Sequence, residues 1–249
     1  MKSLTEKIAV ITGSSSGIGR AIAEQLAQDG ATVVINYAHS TDKAKAVVSA
    51  IESKGGKAIS VQADISQVDD IKRLFQKTIE QFGGIDILVN SAVRGGAFKP
   101  LIKMTESDFD RQFSVNTRGT FFVLREAASI MKDGGRIVNI SSAITVNNAP
   151  IGASIYAGTK AAVEQFTVSL AKELGSRDIT VNAVLPGTTD TEGFRKTAPS
   201  EVQTQAAKQS PFERIGQPQD IADVVSFLVS DRAGWLTGQK IMATGGSYL

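Results

Sequence analysis

The amino-acid sequence predicts an α/β fold, a parallel sheet of about seven strands with helices on both faces. Three observations predict it. Short runs rich in Val and Ile alternate along the chain with longer stretches of helical apolar periodicity. The first run, Ile8-Ala-Val-Ile-Thr12, passes through a glycine-rich turn directly into such a stretch. The polar residues able to carry chemistry cluster just after the apolar runs, where ligands bind in open α/β sheets.

In chain order, strands are expected near residues 8–12, 32–36, 57–62, 85–90, 136–141, 180–185 and 239–243. Between them, helical patterns fall near 17–28, 41–53, 68–82, 107–131, 156–174 and 220–229. The first helix carries apolar Ile22, Leu26 and Ala27 on one face, and Gly30 ends it in the manner of a C-cap. Phe109, Phe113, Phe121 and Phe122 are expected on packed helix faces. Trp235 reads as packing or a subunit contact. The stretch 188–210, rich in Thr, Gly and Lys, reads as a mobile lid on a single domain spanning 1–249. No repeat, low-complexity tract or linker divides the chain.

Composition narrows the function. Apolar content of 42%, charged content of 21% and a net charge of +2 argue against a disordered tail and a polybasic nucleic-acid face. With no cysteine, disulfides and thiolate chemistry are excluded. The first strand begins within about seven residues of the start, so no signal peptide is expected. No apolar run approaches the roughly twenty residues that cross a bilayer, so the expected location is the cytoplasm and no membrane partner is foreseen. His39 is the only histidine, which excludes a Ser/His/Asp triad and a multi-histidine metal site, and it reads as a surface loop residue. No cluster of His, Asp and Glu has metal-ligand spacing, so no metal is predicted.

Two constellations carry chemistry. Tyr156 and Lys160 stand four residues apart and share a face if their segment is helical, with Ser142 fourteen residues upstream of the tyrosine. A free phenol, with a pKa of about 10, is a poor acid–base group at neutral pH. A neighbouring ammonium favours the phenolate and draws that value down, while a serine hydroxyl holds a carbonyl oxygen that the tyrosine protonates. The second constellation is Gly13-Ser-Ser-Ser-Gly17-Ile-Gly19 between the first strand and helix. Its glycines let backbone approach a pyrophosphate, and the N–H groups at the helix start stabilise the charge. Together they describe a Rossmann-type, doubly wound sheet equipped to reduce a ketone with a hydride carrier.

On these residues the chain resembles the short-chain dehydrogenase/reductase family, essentially end to end. Within it the likeness is nearest to polyhydroxynaphthalene reductases and 3-oxoacyl-carrier-protein reductases, with Asn36-Tyr37-Ala38 and Phe113-Ser-Val-Asn-Thr-Arg-Gly119 favouring the former. The resemblance implies cofactor contacts from Gly13, Ser15, Ser16, Gly17, Ile18 and Gly19, from Asn36, Tyr37 and Ala38, and from Asp64, beside adenine, with Ile65. It extends them to Asn90, Ser91 and Ala92, to Pro186, Gly187, Thr189 and Thr191, and to Tyr156 and Lys160. It makes Asn116, Ser142, Tyr156 and Lys160 catalytic, Asn116 positioning a water that links Lys160 to solvent. Gly216-Gln-Pro-Gln-Asp-Ile-Ala222 and Leu236-Thr-Gly-Gln239 match C-terminal blocks of the family. Ser91 and Val93 depart from its Asn and Gly, Thr189 from an aliphatic residue, and Ala243-Thr244 from Val-Asp.

Cofactor, assembly and substrate follow less directly. No carboxylate follows the second strand at Tyr37-Ala-His-Ser40-Thr41 to repel a ribose 2′-phosphate, so NADPH/NADP is favoured over NADH, although Ser16 stands where NADP-linked relatives carry Arg or Lys. The resemblance implies a homotetramer, and the apolar crowding of Ala161, Ala162, Val163, Phe166 and Leu170 suggests a second covered face on that helix. The segment Met131-Lys-Asp-Gly-Gly-Arg136, near the cleft in relatives, offers only Lys132 and Arg136, offset by Asp133. No cluster of three or more basic residues occurs elsewhere, which favours a small or cyclic ketone, aromatic ones included, over a carrier-protein thioester. Specificity is expected in the loop after Asn90, in 143–155 and in 188–210. The alternatives are a 3-oxoacyl-carrier-protein reductase and, from another class, a non-catalytic dinucleotide-binding sensor.

Overall fold

The computed structural model describes residues 3–96, 98–146 and 149–247. Its elements are β1 (Ile8–Thr12), α1 (Gly17–Gln28), β2 (Thr32–Tyr37), α2 (Thr41–Glu52), β3 (Lys57–Gln62), α3 (Val68–Phe82), β4 (Ile85–Asn90), α4 (Glu106–Phe113), α5 (Thr120–Ile130), β5 (Met131–Ile140), α6 (Ser154–Leu174), β6 (Thr180–Pro186), α7 (Glu192–Thr197), α8 (Ser200–Lys208), α9 (Pro218–Val229) and β7 (Lys240–Ala243). All strands pair in parallel in the order β3-β2-β1-β4-β5-β6-β7, so the predicted doubly wound sheet is the fold.

Strand residues alternate between two cores, as a period of two requires. Ile11, Ile35, Val89 and Ile140 pack beneath α1, α2 and α9, while Val10, Val34, Leu88 and Ile137 pack against α3, α5 and α6. The strand order reverses between β1 and β4, where Thr12 pairs with Asn90. The glycine turn and the loop after Asn90 therefore leave the sheet side by side at this switch point, where such folds bind ligands.

Two expectations need correction. The single helix over 107–131 is two helices, α4 and α5, joined by one π-helical turn at Ser114–Gly119. Asn116 lies in that turn with its side chain bound to another loop, and such bulges often accompany functional sites. The fifth strand starts at Met131, which pairs with Ile85 before the register breaks ahead of Ile87. The stretch 188–210 holds α7 and α8, and Thr189 bridges Gly216 at its base. Among the described residues no helix is long and apolar enough to cross a membrane.

Candidate active site

The site begins with the end of β1. The Thr12 hydroxyl accepts hydrogen bonds from the backbone N–H of Ser91 and of Ala92, each at 3.1 Å. Gly13 follows at φ +64°, and a Cβ there would lie 2.5 Å from the Ala92 Cα, so only glycine fits. Asn36 braces the turn from the end of β2: its Oδ1 accepts from Gly13 N at 3.2 Å and its Nδ2 donates to Ala63 O at 3.0 Å. No acidic side chain lies in the first turn of α1, which leaves the helix start open to an anion.

These groups open into a cleft of about 690 Å³. Of the residues expected at the site, Gly13, Ser15 through Gly19, Asn36, Ala38, Asp64, Ile65, Ser91 and Ala92 line it. So do Ser142, Tyr156, Lys160, Pro186, Gly187, Thr189 and Thr191. Three others are set back from it. Tyr37 packs into the core. Asn90 is buried and donates to Asn139 Oδ1 at 2.8 Å. Asn116 is fully buried: its Oδ1 accepts from Arg94 N at 2.7 Å, and its Nδ2 donates to Arg94 O at 3.1 Å and Thr159 Oγ1 at 3.2 Å. That side chain braces the loop after β4 and does not reach into the cleft.

At the far end, Tyr156 and Lys160 share a face of α6, with the Lys160 Nζ 6.0 Å from the centre of the tyrosine ring. Lys160 is buried and donates to Ile140 O, at the end of β5, at 2.8 Å. Ser142 leads a single 3₁₀ turn, Ala143–Thr145, and its hydroxyl is hydrogen-bonded to Tyr156. Burial pushes the Tyr156 phenol above its ordinary value, and the Ser142 bond offsets part of the rise. The downward pull expected from Lys160 is not what sets this direction: desolvation does, with Ser142 the group that opposes it. Burial also draws Lys160 down to about 8, against the opposing Glu164 carboxylate. A phenol kept protonated beside a serine hydroxyl in the cleft wall is chemically able to donate a proton.

His39, read as a surface loop residue over one touching a ribose phosphate, is exposed and also edges the cleft. Lys43, Arg94, Glu192 and Lys196, which the sequence reading missed, edge it too. Lys43 on α2 meets Glu192 of α7 at 2.5 Å, and Glu192 also meets Lys196 at 2.6 Å. Lys196 and then Lys43 hold the Glu192 carboxyl down at about 2. No local motif announces this triad, because Lys43 and Glu192 are remote in sequence. Val93 stands half-exposed in the cleft wall, while Ser91 contributes its backbone N–H to Thr12. Within the loop 143–155, Asn147 and Asn148 lie outside the described residues, as does Ala97 in the loop after Asn90.

A family model described as Enoyl-(Acyl carrier protein) reductase matches residues 13–248, spanning both ends of this cleft. The chain belongs to the short-chain dehydrogenase/reductase family. This oxidoreductase is 46% identical over 250 residues to an uncharacterized oxidoreductase of Methylorubrum extorquens, covering 99% of each chain. It is 40% identical over 258 residues to the hydroxynaphthalene reductase-like protein Arp2 of Metarhizium acridum, covering 99% of this chain and 96% of that one. Among solved structures it resembles the angucycline C-6 ketoreductase LanV with bound NADP, at a TM-score of 0.92 and 41% identity over 98% of this chain and 96% of that one.

Proposed function

We propose that this oxidoreductase uses NADPH to reduce a ketone to a secondary alcohol. The observation that carries the reading is the Ser142–Tyr156–Lys160 group at one end of a cleft whose other end is the glycine turn. The residues fit a dinucleotide: Gly13 leaves a cradle that a Cβ would fill, and the start of α1 bears no carboxylate. Gly13 through Gly19 would hold the pyrophosphate, Asp64 the adenine, and Lys160 the nicotinamide ribose. When bound, the nicotinamide supplies the hydride. Ser142 donates a hydrogen bond to the carbonyl oxygen and orients it. Tyr156 gives its proton to that oxygen, and the positive charge of Lys160 stabilises the phenolate left behind. Asn116 fixes the loop that closes this end of the cleft. The raised phenol value supports the reductive direction, in which tyrosine starts protonated.

NADPH over NADH is supported by His39 and Lys43 at the cleft edge after β2, where residues 37–41 carry no carboxylate and Glu192, reaching over from α7, is neutralised by Lys43 and Lys196. LanV, a relative with bound NADP, supports the same choice. Lys43 and Lys196 take the place of the basic residue missing at Ser16. The substrate is a small or cyclic ketone, a reading that the ketoreductase and hydroxynaphthalene reductase-like relatives support. The stretch 188–210 acts as a lid, tethered across the cleft mouth by the Lys43–Glu192 pair. The enzyme works as a cytoplasmic homotetramer, a reading favoured by Phe121, half-exposed beside α6, and Trp235, 98% exposed. The test is NADPH oxidation against cyclic ketones, aryl ketones, 3-oxoesters, a 3-oxoacyl-carrier thioester and an enoyl thioester. Turnover of the cyclic or aryl ketones is expected. Turnover of a carrier thioester alone would replace this reading with one in fatty-acid synthesis, and nucleotide binding without any turnover would make the protein a sensor.

A further inference from the structure

Glu164 lies one helical turn beyond Lys160, so Tyr156, Lys160 and Glu164 form a file at four-residue spacing on α6. Its side chain is only 4% exposed and does not line the cleft. A buried carboxylate is costly unless it is well partnered, and this one is. Its Oε1 lies 2.7 Å from the Ser141 hydroxyl and 2.5 Å from that of Thr145, and its Oε2 lies 3.2 Å from the Lys240 ammonium on β7. Both hydroxyls belong to the segment that carries Ser142, and Thr145 Oγ1 also sits 2.8 Å from the Ser142 carbonyl oxygen.

We propose that Glu164 is a positioning residue: it ties the turn that carries Ser142 to the helix that carries Tyr156 and Lys160, and its charge sustains the ammonium of Lys160. On α6 the Lys160 ammonium has Tyr156 one turn before it and Glu164 one turn after. It donates to the Ile140 carbonyl at the end of β5, while Ser141 Oγ reaches the backbone carbonyl of Lys160. Glu164 in turn faces Thr145 and, from β7, Lys240. Burial weakens the hold of Lys160 on its proton and the carboxylate strengthens it, whereas Lys240, paired with that carboxylate, offsets part of its field. The two partners therefore act on Lys160 with opposite sign. The role of Glu164 in turnover rests on the ketoreductase reading, but its effect on Lys160 does not.

The experiment titrates Lys160 directly in the folded enzyme through its ¹³Cε-lysine signal, assigned by its loss in Lys160→Met. Glu164→Gln is expected to lower the midpoint by on the order of one pH unit, and Lys240→Met to raise it by a smaller amount. A side chain with a purely structural role moves neither. An unchanged midpoint in either variant, or shifts of the same sign in both, overturns the proposal. If Glu164→Gln does not fold, Lys240→Met decides alone, an upward shift supporting the proposal and any other result sinking it. In turnover of NADPH with 1-tetralone, the alkaline limb of kcat/KM should move toward acid in Glu164→Gln. A loss of rate without that movement counts against the proposal. A ketone panel with no turnover would instead defeat the ketoreductase reading, while the lysine titration stays readable.

Discussion

Replacing Gly13 by Ala should damage both the stability of the fold and its grip on the cofactor. At φ +64° an alanine carries a left-handed backbone cost of about 1–2 kcal/mol. Its Cβ would also sit 2.5 Å from the Ala92 Cα, where carbon atoms normally stay about 3.5–4.0 Å apart. The atom in the way is backbone, so either the glycine turn or the loop after Asn90 must shift, an overpacking cost of about 1–3 kcal/mol. Together these reach about 2–5 kcal/mol, a fall in melting temperature of roughly 4–20 °C for a chain of this size. Gly83→Ala is the control. Gly83 caps α3 at φ +75°, and a methyl group there would meet nothing within 4 Å, so only the backbone cost applies, roughly 2–8 °C. Calorimetry reads the melting, and NADPH fluorescence titration reads affinity. Gly13→Ala should weaken NADPH binding at least about tenfold, or about 1.4 kcal/mol, while Gly83→Ala leaves it unchanged. A Gly13→Ala enzyme that melts with the control and binds NADPH like the wild type would refute the idea that this close approach shapes the cradle.

Three further outcomes are expected. Tyr156→Phe should lower ketone turnover by about 10²–10⁴ while NADPH still binds, and near-normal turnover would remove the tyrosine from its role. Because Lys160 is drawn down to about 8 and is needed charged, ketone reduction should fall as pH rises through that value, and a rate–pH profile still flat well above it would contradict this. Lys43→Met should raise KM for NADPH by about tenfold, within the range of one hydrogen bond to a charged group, with little change for NADH. Equal effects on the two cofactors would dissociate Lys43 from the 2′-phosphate.

The strands were legible because each is a short Val/Ile run with glycine or polar residues behind it, and every strand except the fifth begins within one residue of its expected place. The Tyr156/Lys160 face was legible because helical spacing alone dictates it. The break at Ser114–Gly119 was not, since helical periodicity carries no sign of it and the partner that Asn116 meets there, Arg94, lies in another loop. The helices α7 and α8 were not foreseen within the stretch read as a lid rich in Thr, Gly and Lys, since no buried side chain on either helix marks a periodic face. The electrostatics were least legible. Spacing shows that Lys160 is near Tyr156, but burial decides which way each group titrates.

The bridge between Thr189 and Gly216 has a consequence for how such a protein diversifies. Backbone bonds from Gly216 N to Thr188 O and from Asp190 N to Gly216 O pin the two ends of the intervening chain side by side. What lies between is a closed loop whose length adds little entropic strain to the rest of the molecule, since that cost grows only slowly with size. Residues can be exchanged, added or removed there while Pro186 and Gly187 stay fixed by the pairing of β6 with β7. On the proposed function, substrate preference would drift on this one loop while Tyr156 and Lys160 stay on α6 and Ser142 on the turn after β5.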